Sequence, residues 1–224
     1  MRAAAALRAG RGEARNRDEE ARPALTRGER TRARIVAAAV DEFAEAGFHA
    51  AKISNIVARA GMTQPTFYLY FDTKDAAYRH IVNRVRTELL EVVESARLPP
   101  TIPAGDVREG IRTAIEAFLR YFSDNPKLAK IGYFADSSVT SIREEIVALV
   151  ARNIAFEQGA GYFRQDLDPV FVSQCYNGSL ERVIEQYLLS NKYSAEQLSE
   201  KVLDIYVNGW IPQEFMRESS PPSC

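Results

Sequence analysis

Between Ile35 and Phe71 the apolar residues recur every three or four positions, and glycine and proline cut the pattern into short pieces. Ile35, Ala39 and Phe43 form one stripe with Val36 and Val40 beside it, and Gly47 closes that stretch. Ile53, Ile56 and Val57 carry a shorter second helix, which Gly61 stops. Thr63 stands where it can cap a third, with Pro65 in the first turn, where a missing N–H is harmless. The run from Asp72 to Asp75 reads as the cap of a longer fourth helix whose inner face is Ile81, Val85 and Leu89. Two short helices joined by Gly61-Met62-Thr63 make a helix-turn-helix.

The same period continues beyond the connection from Leu98 to Ala104. A fifth helix carries Ile111, Ile115, Phe118, Leu119 and Phe122 inward, and Asp124-Asn125-Pro126 breaks it and starts a short sixth. A seventh is expected from Val139 to Phe156 on Ile142, Ile146, Leu149 and Val150, an eighth from Asp168 to Leu189, and a ninth from Ser194 to Gly209. No stretch alternates over a useful length, so the fold class is all-α, with about nine helices. The expected organisation is a disordered extension over 1–26, a helix-turn-helix domain over 27–74, a larger helical domain over 75–211 and a flexible tail over 212–224.

Charge divides along the chain. Lys and Arg exceed Asp and Glu by 6 up to Thr87, and fall short of them by 7 from Glu88 onward. A basic first half fits a polyanion met at one end, although the first 22 residues, with six Arg against four Asp and Glu, inflate the excess by 2. Apolar runs are short, such as Val147 to Val150, so no membrane partner is expected, and the apolar start ends at Leu7 without the form of an export signal. Cys175 and Cys224 give neither a disulfide framework nor metal spacing, which places the chain in a reducing, cytoplasmic setting. Cys175 reads as a small buried hydrophobe. No nucleophile–base pattern, Gly-rich phosphate loop or apolar carboxylate pair is present in the sequence, so neither an enzyme nor a cofactor is expected.

The third helix shows what the head is for. Phe67 and Phe71 lie four apart and face the core, whereas Gln64 and Tyr68, also four apart, lie on another face with Pro65 beside them. Gln offers one donor and one acceptor, suited to an adenine edge, and Pro65 offers a flat apolar surface for a thymine methyl. Thr63, Thr66, Tyr68 and Tyr70 carry hydroxyls within reach of phosphates, and Lys74 adds a cation. Short helix pairs with a Gly turn also occur in ordinary bundles, which leaves a protein-docking helical module as the alternative.

The span Thr31 to Tyr78 resembles the DNA-binding domain of the TetR family of bacterial transcriptional regulators. The resemblance is carried by Thr31-Arg32, Ala38-Ala39, Phe43, Gly47-Phe48, Ile56-Val57, Ala60 to Thr63, Thr66 to Tyr68, Tyr70-Phe71 and Lys74. It implies that Gln64 and Pro65 read bases, that Thr63, Thr66, Tyr68 and Lys74 hold phosphates, and that Tyr70 meets phosphate or packs inward. Lys52 stands where the family usually has a capping Ser or Thr; it cannot cap with an oxygen but can meet a phosphate. Ser54 stands where many members have Arg, which weakens a base or phosphate contact there.

Beyond Tyr78 the resemblance is architectural, and implies an effector pocket within helices four to seven and a dimer interface on the last two. Phe118, Tyr121, Phe122, Tyr133, Phe134, Tyr162, Cys175 and Tyr176 are the pocket candidates; aromatic walls with a few hydroxyls suit a largely apolar small molecule, and the same spacing also suits plain core. Arg112, Arg120 and Lys130 read as solvated surface, with contact to an acidic ligand as the alternative. Leu180, Val183, Ile184, Tyr187, Leu198, Val202, Ile205 and Tyr206 exceed what one helix pair can hide, which points to a homodimer unless they pack on helix five. The expected function is a ligand-responsive, nucleoid-associated regulator, most simply a repressor that binds a pseudo-palindromic double-stranded DNA operator as a dimer and is released by an effector; a regulator without a ligand is the further alternative.

Overall fold

Thr26 opens the first helix with a reciprocal cap. Its hydroxyl accepts the Glu29 N–H at 3.2 Å, and the Glu29 carboxylate accepts the Thr26 N–H at 2.7 Å. In this computed structural model, which describes residues 26–134 and 140–209 (backbone alone at Thr140 and Ser141), nine helices follow one another with no strand among the described residues. They are α1 (Arg27–Ala50), α2 (Ile53–Ala60), α3 (Gln64–Tyr68), α4 (Lys74–Ser95), α5 (Ala104–Asp124), α6 (Pro126–Gly132), α7 (Thr140–Gly159), α8 (Pro169–Val183) and α9 (Ala195–Asn208). The final turn of α8 widens into a π turn over Ile184–Leu188. The extension up to residue 25, the tail from 212 and Val139 lie outside the described residues.

Glycine sets the corners of the head. Gly47 leaves helical geometry inside α1 at φ 74°, and Gly61 ends α2 in the left-handed region at φ 66°, so the Met62 N–H folds back to the Val57 carbonyl at 2.8 Å. Phe67 and Phe71 then drop into the core, at 0% and 5% exposure, and fix the short α3 across α2. The cap of α4 lies within the expected run from Asp72 to Asp75, at Thr73. The Thr73 hydroxyl accepts the Ala76 N–H at 3.0 Å, and Asp75 lies in the first turn, where its charge suits the helix dipole.

One helix joins head to body. Along α4, Ala77, Ile81, Val85, Leu89 and Val93 are all buried at four-residue steps, against α1 at its start and α6, α7 and α5 further on. Gly132 makes the α4–α6 crossing: a Cβ there would stand 2.7 Å from Val85 Cβ. In the body, α5 packs on α9 and α7 on α8.

Candidate nucleic-acid interface and inner cavity

The outer face of α3 matches the expected reading surface in exposure. Gln64, Pro65 and Thr63 are open to solvent, and Tyr68 is 51% exposed above the buried Phe67. Thr63 occupies the cap position, but its hydroxyl meets the Thr66 hydroxyl at 3.0 Å instead of a backbone N–H. Leu69, 80% exposed directly after α3, was not among the expected residues; an apolar side chain at the end of a stripe gives no sequence signal of its exposure. Lys52 and Ser54 lie exposed at the start of α2. Tyr70 is half-buried against the core, its hydroxyl 3.8 Å from where a Cβ on Gly28 would sit, which matches the inward alternative.

Glu42 supplies the cap that Lys52 cannot. This buried α1 carboxylate accepts the Lys52 N–H at 3.2 Å and the Asn55 amide at 2.8 Å, with Arg59 Nε 3.4 Å away. Lys74 corrects the expectation of a phosphate contact. Its Nζ donates to the carbonyls of Phe48 at 2.7 Å, His49 at 3.2 Å and Ala51 at 2.9 Å. An ammonium has three N–H groups, and all are engaged with the closing turn of α1, while the Phe48 ring lies 4.7 Å from the charge. Lys74 ties α4 to the head.

In the body, a cavity of about 560 Å³ lies between the end of α4, the first half of α5, the end of α7, α8 and the end of α9. Of the eight expected lining residues, Phe118, Tyr162 and Tyr176 face it. Four others are core instead. Phe122 is fully buried, with its ring centroid 5.1 Å from Phe118, 4.9 Å from Tyr133 and 6.0 Å from Phe134. Tyr121 donates to Glu88 at 3.0 Å and Tyr133 to Glu181 at 2.9 Å, and burial raises the pKa of both phenols. Cys175 is exposed on α8, the reverse of a buried hydrophobe, and does not line the cavity.

The polar lining was missed by sequence reasoning. Asn153 and Glu157 continue the buried stripe of Ile142, Ile146, Leu149 and Val150 by further helical turns, so polar residues in that phase were the available signal. The Asn153 amide donates to the Val93 carbonyl at 3.0 Å, and Glu157 accepts the Leu98 N–H at 2.9 Å. The Tyr162 hydroxyl donates to the Pro99 carbonyl at 3.1 Å and accepts the Ile102 N–H at 2.9 Å. Together these fasten the α4–α5 connection to α7 and the loop after it. Burial pushes the Glu157 carboxyl above the usual carboxylate range, against the pull of the Leu98 N–H and the Arg97 charge. Arg112 is a further correction: it is 5% exposed and pairs with Glu109 at 2.7 Å and Glu116 at 2.6 Å.

The expected dimer residues divide. Leu180, Ile184, Leu198 and Val202 are buried within the protomer, because the inner faces of α8 and α9 pack on α7 and α5. Val183 is half-buried, and Tyr187, Ile205 and Tyr206 are exposed. With Phe171 at 65% and Val207 at 51% exposure they leave an apolar outer face on α8 and α9.

Residues 35–81 match the family described as bacterial regulatory proteins, tetR family. The uncharacterized HTH-type transcriptional regulator YdgC of Bacillus subtilis (strain 168) is 31% identical over 188 residues, which span 84% of this chain and 96% of that protein. Among solved structures, the fatty acid degradation regulator FadR from Bacillus halodurans superposes with a TM-score of 0.67 at 22% identity, over 80% of this chain and 96% of that one. FadR from Bacillus subtilis in complex with stearoyl-CoA gives 0.65 at 21% identity, over 80% and 98%. No described helix is long and apolar enough to cross a membrane. The chain belongs to the TetR family and is a transcriptional regulator, not an enzyme.

Proposed function

We propose that the chain is a homodimeric repressor released by a largely apolar small molecule. The observation that carries this is the double attachment of α4. Lys74 at its start binds the carbonyls that close α1, while Val92, Val93 and Ala96 near its end form a wall of the cavity. A molecule that pushes on that wall moves the head. In each subunit Gln64 and Pro65 meet base edges, and Thr63, Thr66, Tyr68, Lys52 and Ser54 meet sugar and phosphate. The outer face of α8 and α9 pairs with a second copy, which sets two heads at half-sites about 34 Å apart. The stearoyl-CoA complex of a protein of the same fold supports an effector with a long apolar chain.

The test is selection of sheared genomic DNA on the purified full chain, followed by sequencing. An enriched pseudo-palindrome is expected, with enrichment lost in Gln64→Ala and in a monomeric Ile205→Asp variant. No enrichment by folded, dimeric protein at moderate salt would favour the protein-docking alternative and make Gln64 and Tyr68 a protein-facing patch.

A further inference from the structure

A buried carboxylate and a half-buried phenol line the cavity with polar atoms that the described protein leaves unused. Glu157 is 7% exposed and lines the cavity; one carboxylate oxygen accepts the Leu98 N–H, and the other has no hydrogen-bond partner among the described residues. The Tyr176 ring packs edge-on against Tyr206 at 5.5 Å, and its hydroxyl likewise has no hydrogen-bond partner among the described residues. Both line the same cavity, and burial, followed by the neighbouring Tyr206 and the Glu157 charge, raises the Tyr176 pKa.

Of the other polar groups around them, the amide N–H groups and the Tyr162 hydroxyl are engaged, while the side-chain oxygens of Asn153, Gln158 and Asn177 have no hydrogen-bond partner among the described residues and are further acceptors. Asn153 gives its amide to Val93, Gln158 gives its own to the carbonyls of Arg164 at 2.6 Å and Leu167 at 2.9 Å, and the Tyr162 hydroxyl is used in both directions. The arginines of the lining, Arg108 and Arg164, are exposed and near acidic partners, Glu200 at 3.8 Å and Asp166 at 2.6 Å. No buried cation among the described lining residues awaits an anionic ligand. A carboxylate placed here would set its charge against that of Glu157 in an apolar surround. A hydroxyl fits both vacant partners, donating to Glu157 and accepting from Tyr176.

We infer that the effector is an apolar chain or ring bearing a hydroxyl, read by Glu157 and Tyr176, with Glu157 the specificity-determining residue that turns away the free acid. This deepens the proposed function and rests on its placement of the effector in the cavity. It also ties recognition to the switch, because the carboxylate that takes the hydroxyl is the one that holds Leu98 in the connection after α4.

The experiment is calorimetric titration of the full chain at pH 8 with 1-decanol and with decanoate, in the wild type, Glu157→Gln, Tyr176→Phe and the cavity-filling Ala114→Trp. The wild type is expected to bind decanol about tenfold or more tightly than decanoate, the scale of one hydrogen bond to a charged group. Glu157→Gln should bring the two within about threefold, chiefly by admitting decanoate, and Tyr176→Phe should weaken decanol alone by about three- to tenfold. Equal binding of both probes by the wild type, or a preference unchanged in Glu157→Gln, overturns the hydroxyl assignment and leaves the cavity reading standing. Failure of both probes to bind, or binding undiminished in Ala114→Trp, overturns both. Should Glu157→Gln fail to fold, the wild-type preference decides alone.

Discussion

Replacing Lys74 with Met separates two roles for one cation. Met keeps the length of the stem over the Phe48 ring and removes the ammonium from the carbonyls of Phe48, His49 and Ala51. A hydrogen bond to a charged group contributes about 1.5–3 kcal/mol when well buried. Lys74 is half-buried and the His49 contact is exposed and long, so the set contributes about 2–4 kcal/mol after discounting for solvent. At about 2–4 °C per kcal/mol for a chain of this size, the melting midpoint should fall by roughly 5–15 °C. The assay is a urea melt and a thermal melt, joined to operator binding at several salt concentrations. A lysine that ties α1 to α4 leaves the salt slope of the folded variant unchanged. A lysine that grips phosphate lowers that slope by about 1 and leaves stability within about 0.5 kcal/mol. An unchanged melt with a reduced slope would refute the tie.

Three further outcomes follow from the same contacts. Glu42→Ala should destabilise the fold by about 2 kcal/mol in a denaturant melt, and adding Lys52→Ser, which restores a side-chain cap to α2, should recover about 1 kcal/mol. Gly132→Ala should cost about 1–3 kcal/mol despite the better helix former, because the new Cβ meets the Val85 branch point; Val85→Ala in that background should relieve part of the strain. Because the folded Glu157 carboxyl titrates above its unfolded value, its contribution is fully present below the ordinary carboxyl range and is lost as pH rises through the folded pKa. The stability of Glu157→Gln relative to wild type should therefore be higher at pH 8 than at pH 4.5, as read from paired melts.

The head was legible in the sequence because its information is local. Gly47, Gly61, Pro65 and the Phe67–Phe71 spacing each act within one turn of chain, and each stands where the pattern placed it. The body was less legible at its site. Phe118 and Phe122 are one helical turn apart, with the same chemistry and the same period; one faces the cavity that α7 and α8 help to wall, and the other packs on Tyr133 and Phe134 after α6. Lys74 and Glu42 were obscured for a related reason, since the groups they meet, backbone carbonyls for Lys74 and the Lys52 N–H with the Asn55 and Arg59 side chains for Glu42, acquire a position only when the helices meet. On α8 and α9 the apolar residues counted as surplus divide between the two faces, a partition that hydrophobicity alone does not reveal.

The length of α4 has a mechanical consequence. Its 22 residues extend about 33 Å at 1.5 Å per residue, without an internal break. A tilt of about 5° about the cavity end carries the other end through about 3 Å, a displacement of two residues' rise. In the proposed pair the two heads swing in opposite senses, so their separation changes by about 6 Å against a half-site spacing of about 34 Å. Base-edge hydrogen bonds tolerate a few tenths of an ångström. In the proposed mechanism the protein would work as a lever with its load at the long end, and a ligand no larger than the cavity would need to shift its wall only slightly to lift both heads out of register.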